Sequence, residues 1–279
     1  MSDNNTVREI RINPIMPSES VLVASARGLR PRQEEARIPH DSRAHVETCP
    51  FCKGNEDQTP PTIIAVPDEE NWNIRVVRNL FPVLGTESDQ SNISFGMQQV
   101  MDGYGHHEVI IDHFEHGMEI HGMSHEHLEM LVGTYRRRME ELYSADDRIK
   151  YVLVFKNFGS AAGASIKHTH SQLIAMPIVP ENVYNEVVSS QNYYRKYHQC
   201  VFCSLIDEAL TFEATVYNRE SGEIRRKIDV GQYVVERGER FIAIKPFASR
   251  YEWEVHILPL QHQSNFMQIT PEDTADFAR

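Results

Sequence analysis

All four cysteines of the 279-residue chain fall in two C-x-x-C pairs, Cys49 with Cys52 (CPFC) and Cys200 with Cys203 (CVFC). Such a pair is either a metal knuckle or a redox couple. The opening MSDNNTVREI has no basic flank leading into an apolar stretch, so nothing marks a secretory signal, and stable disulfides are disfavoured without export. A thioredoxin-like pair opens a helix in a βαβ unit. CPFC runs instead into Lys53-Gly54-Asn55, a turn signal that favours the metal reading. A closed tetrahedral site needs four ligands, so the fourteen histidines must supply the others.

The histidines expose a repeat. Segment 108–116 reads EVIIDHFEH and segment 254–262 reads EVHILPLQH, with Glu, Val, Ile and the closing His in register. Cys200 follows Cys49 by 151 residues and His262 follows His116 by 146, so two independent markers give nearly one period. The pattern predicts a tandem duplication. Eight residues past each closing His stands an N-cap residue, Ser124 or Thr270. After Ser124, Leu128, Leu131, Val132, Tyr135, Met139 and Leu142 recur at helical spacing, predicting a long amphipathic helix that ends before Asp146-Asp147. After Thr270, Pro271, Glu272 and Asp273 make a good first turn.

Short β-branched runs predict strands at 21–25, 62–66, 74–77, 109–111, 151–155, 173–176, 241–244 and 255–258. Strands grouped ahead of one long helix predict an α+β fold with a mainly antiparallel sheet. Residues 1–185 are expected to form the first unit and 186–279 the second, with 1–20 an extended arm and 180–199 a polar joining segment. The repeat places the counterpart of His168 beyond Arg279, which predicts an incomplete second unit.

Composition narrows the function. With 41% hydrophobic and 24% charged residues, the chain has the balance of a globular protein, and no apolar run reaches the length of a membrane helix. Its formal charge of −12 argues against broad binding to nucleic acid. Chemistry concentrates in KNFGSAAGASIKHTHSQ (156–172), where Gly159 and Gly163 let backbone N–H groups approach an anion. On a strand, His168 and His170 would face one way; on a turn, one could serve a metal and the other a substrate.

The run NFGSAAGAS followed by HTHSQ resembles the active-site signature of galactose-1-phosphate uridylyltransferases, the transferase branch of the histidine-triad superfamily. It also looks like the plant-type ADP-glucose phosphorylases of that branch. VLVASARGLRP (21–31), CPFCKGN and WNIRVVRNLFP (72–82) extend the resemblance over nearly the whole chain.

The resemblance implies a zinc site formed by Cys49, Cys52, His116 and His168, structural because it is closed. It implies that His170 is the nucleophile and that Gln172 hydrogen-bonds the reacting phosphate, with Gly163 and Ser165 nearby. Asn157 would face phosphate or ribose, Phe51, Val77, Asn79 and Leu80 would line the base and ribose pocket, and Arg27 and Arg30 would meet the phosphates. Cys200, Cys203 and His262 would form a second zinc site lacking its last ligand here. The implied reaction is ping-pong transfer through a nucleotidyl-histidine, with UDP-glucose and a hexose 1-phosphate as substrates. The neutral nucleophile needs an acceptor at its other nitrogen, expected to be the backbone carbonyl of His168. Gln172, where the hydrolase branch has a third histidine, cannot act as an acid and so favours transfer over hydrolysis.

Thr169 in place of the common proline, and Arg78-Asn79-Leu80, look plant-type, which admits adenine as the base and an ADP-sugar phosphorylase using phosphate. A zinc-stabilised nucleotide binder without turnover is the alternative from another class. A cytoplasmic homodimer is expected. His106, His107, His113, His121, His125 and His127 read as solvated loop or helix-start residues, Arg136-Arg137-Arg138 as a solvated helix face, and Trp72 and Trp253 as packing residues. Glu186 is expected to have no metal role.

Overall fold

The computed structural model describes residues 8–26, 41–87 and 91–279. In chain order the elements are strands β1 (Arg8–Ile12), β2 (Ser20–Ala24), β3 (Thr62–Val66), β4 (Ile74–Arg78), β5 (Asn92–Phe95), β6 (Gln98–Met101) and β7 (His106–Ile111), then helix α1 (His125–Ala145). Strands β8 (Tyr151–Phe155) and β9 (His170–Met176) follow, with helices α2 (Glu181–Tyr197) and α3 (Val201–Thr211). Last come β10 (Glu213–Tyr217), β11 (Ile224–Asp229), β12 (Val234–Arg237), β13 (Phe241–Ile244), β14 (His256–Pro259) and helix α4 (Pro271–Phe277). The result is a mixed α and β protein whose strand-to-strand ladders are antiparallel. Among the described residues no helix is long and apolar enough to cross a membrane.

The chain packs as two units. One joins 8–26 to Glu181–Gln268; the other joins 41–180 to Ile269–Arg279. The repeat-based division at 185/186 concerns ancestry, which packing does not test. In the first unit, residues 8–24 form a hairpin and not an extended arm, with Arg8 paired to Ala24 and Ile12 to Ser20. Most of the polar segment 180–199 is α2, a helix that the sequence pattern does not announce. Half-buried Val183, Glu186, Ser190 and Tyr193 recur at i, i+3, i+7 and i+10, with no Gly or Pro to interrupt them. Two of those four are polar, which hides the stripe from a hydrophobicity pattern. Helix α3 begins at the second cysteine pair, with Cys200 at its N-cap. The sheet β12-β13-β14 completes this unit.

The second unit holds a five-stranded sheet in the order β3-β4-β7-β9-β8. Side chains alternate across it. Ile74 and Val76 of β4, Ile110 of β7, and Leu173 and Ala175 of β9 join Leu131 and Leu142 of α1 in one core. Val77, Val109 and Ile111 face the other way, beside Cys49, Phe51, Cys52 and Trp72. Helix α1 starts where its cap predicts, the Ser124 hydroxyl accepting from the His127 amide at 3.2 Å. Helix α4 is fixed by a reciprocal Thr270–Asp273 capping box.

Arg138 departs from the solvated-face reading. Arg136 and Arg137 do pair locally with Glu140 and Glu141. Arg138 instead turns under the sheet, donating to both oxygens of buried Glu108 at 2.6 and 2.7 Å. Trp253 is 86% exposed, whereas Trp72 is buried and donates to Glu56 Oε1 at 2.8 Å. Arg138→Met strands the Glu108 carboxylate, and urea denaturation should register a loss of about 3–5 kcal/mol. Adding Glu108→Leu should recover most of that loss; an undiminished deficit in the double variant would show that the pair is not its source.

Candidate functional site

The sheet face opposite α1 carries the chemistry. Register places His170 opposite Ile111 and Gln172 opposite Val109. As alternate residues of β9, His170 and Gln172 share this face, and both are half-buried. Phe51, in the first cysteine knuckle, packs edge-on against the His170 ring with centroids 5.3 Å apart. Residues 157–169 lead into β9. A cavity of about 270 Å³ lies there, lined by Asn157, Ser165 and His170 among others. Gly159 (φ 78°, ψ 162°) and Gly163 (φ 86°, ψ 12°) occupy conformations that side-chain-bearing residues avoid, so the loop's path depends on them.

His168 stands two residues before the β9 pattern takes hold, and the two histidines diverge as a turn allows. Cys49, Cys52, His116 and His168 are all buried, and one ligand atom from each lies within 4.8 Å of the others. The imidazole Nδ1 atoms face the sulfurs: Cys52 to His116 at 3.5 Å, and Cys49 and Cys52 to His168 at 3.7 and 3.6 Å. Tetrahedral bonds of about 2.3 Å to sulfur and 2.0–2.1 Å to nitrogen give S···N edges of about 3.5 Å. The four donors therefore fit a metal. Their outer contacts fit as well, since His168 Nε2 donates to the His113 carbonyl at 2.7 Å and His116 Nε2 lies 3.5 Å from Asp41. The Arg43 guanidinium beside Asp41 holds that carboxyl well below the usual range. Burial lowers the His168 pKa to about 4 and pushes the Cys49 thiol up to about 11. The imidazole is thus neutral and able to ligate, while the bare thiol lacks the accessible thiolate that redox exchange requires.

His170 Nδ1 donates to the His168 carbonyl at 2.8 Å. That bond places the ring's proton on Nδ1 and leaves Nε2 with its lone pair. Burial foremost, and then the Lys156 cation, lowers the His170 pKa against the opposing effect of that hydrogen bond and of Asp112. Behind the strand runs a buried polar network. Lys156 Nζ donates to Asp112 Oδ2 and Thr169 Oγ1, both at 2.7 Å, and to the His170 carbonyl at 3.1 Å. Ser171 Oγ donates to Asp112 at 3.1 Å and lies 2.6 Å from the Tyr135 hydroxyl. The backbone of His170 is therefore held from behind by a charge pair.

Of the other residues singled out from sequence, Val77 is buried, Asn79 half-buried, and Leu80 62% exposed. Arg27 and Arg30 lie outside the described residues. Cys200, Cys203 and His262 come together in the other unit, with Cys203 Sγ 3.3 Å from His262 Nδ1. Three histidines taken for solvated are buried: His107, His113 and His127. His107 Nε2 contacts both Gln172 Oε1 at 2.9 Å and Asn79 Nδ2 at 3.1 Å. The adjacent pair His106-His107 begins a strand buried on both faces, and the apolar run 109–111 beside it was the available signal. Nothing local marks Asp112 or Lys156, whose partners are distant in sequence, and Asp41, paired locally with Arg43, reaches His116 only through the fold.

Burial, then the charge of His127, lowers the His113 pKa to about 4. The unfolded chain therefore takes up this proton first as pH falls, and stability declines between about 6.5 and about 4. The urea midpoint should be lower at pH 5 than at pH 7. His113→Asn, which keeps an acceptor for the Glu115 amide now 3.0 Å from His113 Nδ1, should narrow that gap; an unchanged gap would remove His113 from the account.

Comparison with known proteins is consistent with this geometry. The ADP-glucose phosphorylase of Arabidopsis thaliana is 28% identical over 278 residues, covering 99% of this chain and 72% of that protein. The galactose-1-phosphate uridylyltransferase of Thermotoga maritima is 26% identical over 272 residues, covering 97% of this chain and 72% of the relative. The crystal structure of the Arabidopsis ADP-glucose phosphorylase with bound ADP-glucose superposes with a TM-score of 0.74 at 26% identity, covering 98% of this chain and 74% of that one. The family model described as galactose-1-phosphate uridyl transferase, N-terminal domain, matches residues 1–180, and the chain is thereby a member of that family of nucleotidyltransferases.

Proposed function

We propose that the chain transfers a nucleotidyl group from a nucleoside diphosphate sugar through a covalent adduct on His170. The observation that carries this reading is the His170 Nδ1 bond to the His168 carbonyl, which leaves Nε2 bare on a half-open face beside Gln172. In the first step Nε2 attacks the α-phosphorus. The P–N bond forms, the bond from that phosphorus to the bridging oxygen breaks, and the electron pair leaves with the sugar 1-phosphate. In the second step an oxygen of the acceptor phosphate attacks the same phosphorus and the P–N bond breaks. The Nδ1 proton stays on the ring throughout, and the His168 carbonyl stabilises the positive charge the ring acquires. The Gln172 amide and the amides of the 157–166 loop are the donors for charge on the phosphoryl oxygens.

UDP-glucose with a hexose 1-phosphate is the substrate pair of this reading, in keeping with a family described by uridyl transfer and galactose 1-phosphate. A second reading, phosphorolysis of ADP-glucose, is favoured by the Arabidopsis relative and by the plant-type residues Arg78-Asn79-Leu80. Intact mass after mixing with either sugar nucleotide and no acceptor separates them: the expected result is one nucleotidyl adduct, absent in His170→Ala, and its mass identifies the base. No adduct from either, in folded protein, would sink the mechanism. Because the His170 pKa lies below its ordinary value, the reactive neutral form persists as pH falls through 6.5. The acid limb of the adduct rate should accordingly have its midpoint below that pH; a midpoint above it would contradict the buried, neutral assignment.

The metal assigned to Cys49, Cys52, His116 and His168 is zinc, on the strength of the two-thiol, two-imidazole donor set. With all four positions taken by protein, it would order the loop and supply no open site for chemistry. Elemental analysis should find zinc in the purified protein. Cys52→Ser should lose it and lower the thermal midpoint, whereas full zinc retention would place the metal elsewhere. The matching closure of His116 on the first cysteine pair and His262 on the second supports a tandem duplication with a second zinc site.

A further inference from the structure

His107 has no part in the mechanism above, yet its ring lies between the residue assigned to the phosphate and the residue assigned to the base pocket. Its hydrogen bonds determine its tautomer. The Val83 backbone amide can only donate, and it lies 3.2 Å from His107 Nδ1. Nδ1 is therefore the bare nitrogen, and the ring's proton sits on Nε2. Two side chains approach Nε2. Asn79 Nδ2, at 3.1 Å, is itself a donor, and its carboxamide is held in that orientation because Oδ1 accepts from the Phe81 amide at 2.9 Å. The remaining partner, Gln172 Oε1 at 2.9 Å, accepts the proton.

A carboxamide has two ends of similar shape and opposite polarity. A phosphoryl oxygen needs the NH₂ end, and an amide turned over would present a lone pair to a negative oxygen. We propose that His107 is a positioning residue that fixes the orientation of Gln172, holding Oε1 so that the NH₂ is the end free to donate to the phosphoryl group. The same ring ties this orientation to the 79–83 segment through the Val83 amide, and the His107 backbone carbonyl adds a second tie by accepting from the Asn79 amide at 2.9 Å. His107 is 8% exposed, so water has little access to replace it. This proposal rests on the reading of His170 as nucleophile and Gln172 as phosphate donor.

The test is single-turnover adduct formation from UDP-glucose and from ADP-glucose in four proteins: unaltered, His107→Phe, Gln172→Ala and the double variant. His107→Phe keeps a ring and removes the donor, and the adduct rate should fall about 10- to 100-fold. Affinity for the sugar nucleotide, measured in a His170→Ala background, should change by less than about threefold, because the loss belongs to the transition state. The double variant should be no slower than Gln172→Ala alone, since His107 acts only through Gln172. His107→Gln, which offers an NH₂ at similar reach, should restore most of the rate.

Equal rates in unaltered protein and His107→Phe, or losses that multiply in the double variant, would overturn the proposal while leaving the nucleotidyl-histidine intact. No adduct in the unaltered protein would overturn both. A second readout is independent of activity and of whether the Phe variant folds. A long-range ¹H–¹⁵N spectrum of the unaltered protein should show Nδ1 of His107 bare and Nε2 protonated, and the opposite tautomer would dismiss the arrangement.

Discussion

His168 joins two demands that would otherwise compete. Its Nδ1 faces the thiols of Cys49 and Cys52, its Nε2 donates to the His113 carbonyl, and its own carbonyl accepts from His170. A metal bond at Nδ1 would fix the ring; the Nε2 bond selects the tautomer that can ligate. What reaches His170 is a backbone carbonyl whose position follows from both. The metal set thus need not touch substrate to matter, because displacing His168 displaces the one acceptor that keeps Nε2 of His170 unprotonated. The small, glycine-interrupted run before it has little apolar surface with which to hold itself, and it depends on this anchor for its shape.

The sheet divides labour by alternation. One face of β9 presents Ser171, Leu173 and Ala175 to the α1 side, and the other presents His170 and Gln172. A slip of one residue would exchange these sets, burying an imidazole in the aliphatic core and exposing Leu173. Register is held by that hydrophobic mismatch and by two charge pairs, Arg138 with Glu108 and Lys156 with Asp112. Arg138 fastens α1 to β7, and Lys156, one residue past β8, meets Asp112, one residue past β7. These two pairs are therefore placed where they fix the strands around His170.

Much of this was legible in the chain. Spacing alone marked both cysteine pairs, the closing histidines, the caps at Ser124 and Thr270, and most strands of the central sheet, because each is a local pattern with a physical period. The residues that escaped are those whose meaning is set by a distant partner. Arg138 sits in a run of three arginines, and only the fold distinguishes the one beneath Glu108 from the two in solvent. His107 looks like one more member of a histidine-rich stretch until β7 turns it towards Gln172. Helix α2 was missed because its inward stripe includes Glu186 and Ser190, and hydrophobic periodicity cannot register a face that is partly polar. Trp253, exposed and at φ 68°, fits no packing role that its residue type would suggest.

Glutamine at 172 has a cost that a histidine would not incur. It carries no proton to deliver to a leaving group, which would suit the proposed transfer between phosphates, but its amide is symmetric in shape and must be oriented by something else. An unsupported carboxamide gains little net energy from one hydrogen bond over its flipped alternative in water. In a half-buried site the difference is larger, because the wrong end meets a charged oxygen at reduced dielectric. A neighbour with a single, tautomer-fixed donor is the simplest means of selecting one orientation, and His107 has its other nitrogen committed to a backbone amide that cannot reverse its role. If Gln172 meets the phosphate as proposed, a second residue behind it is entailed, and the strand pairing of β7 with β9 supplies one within hydrogen-bonding distance.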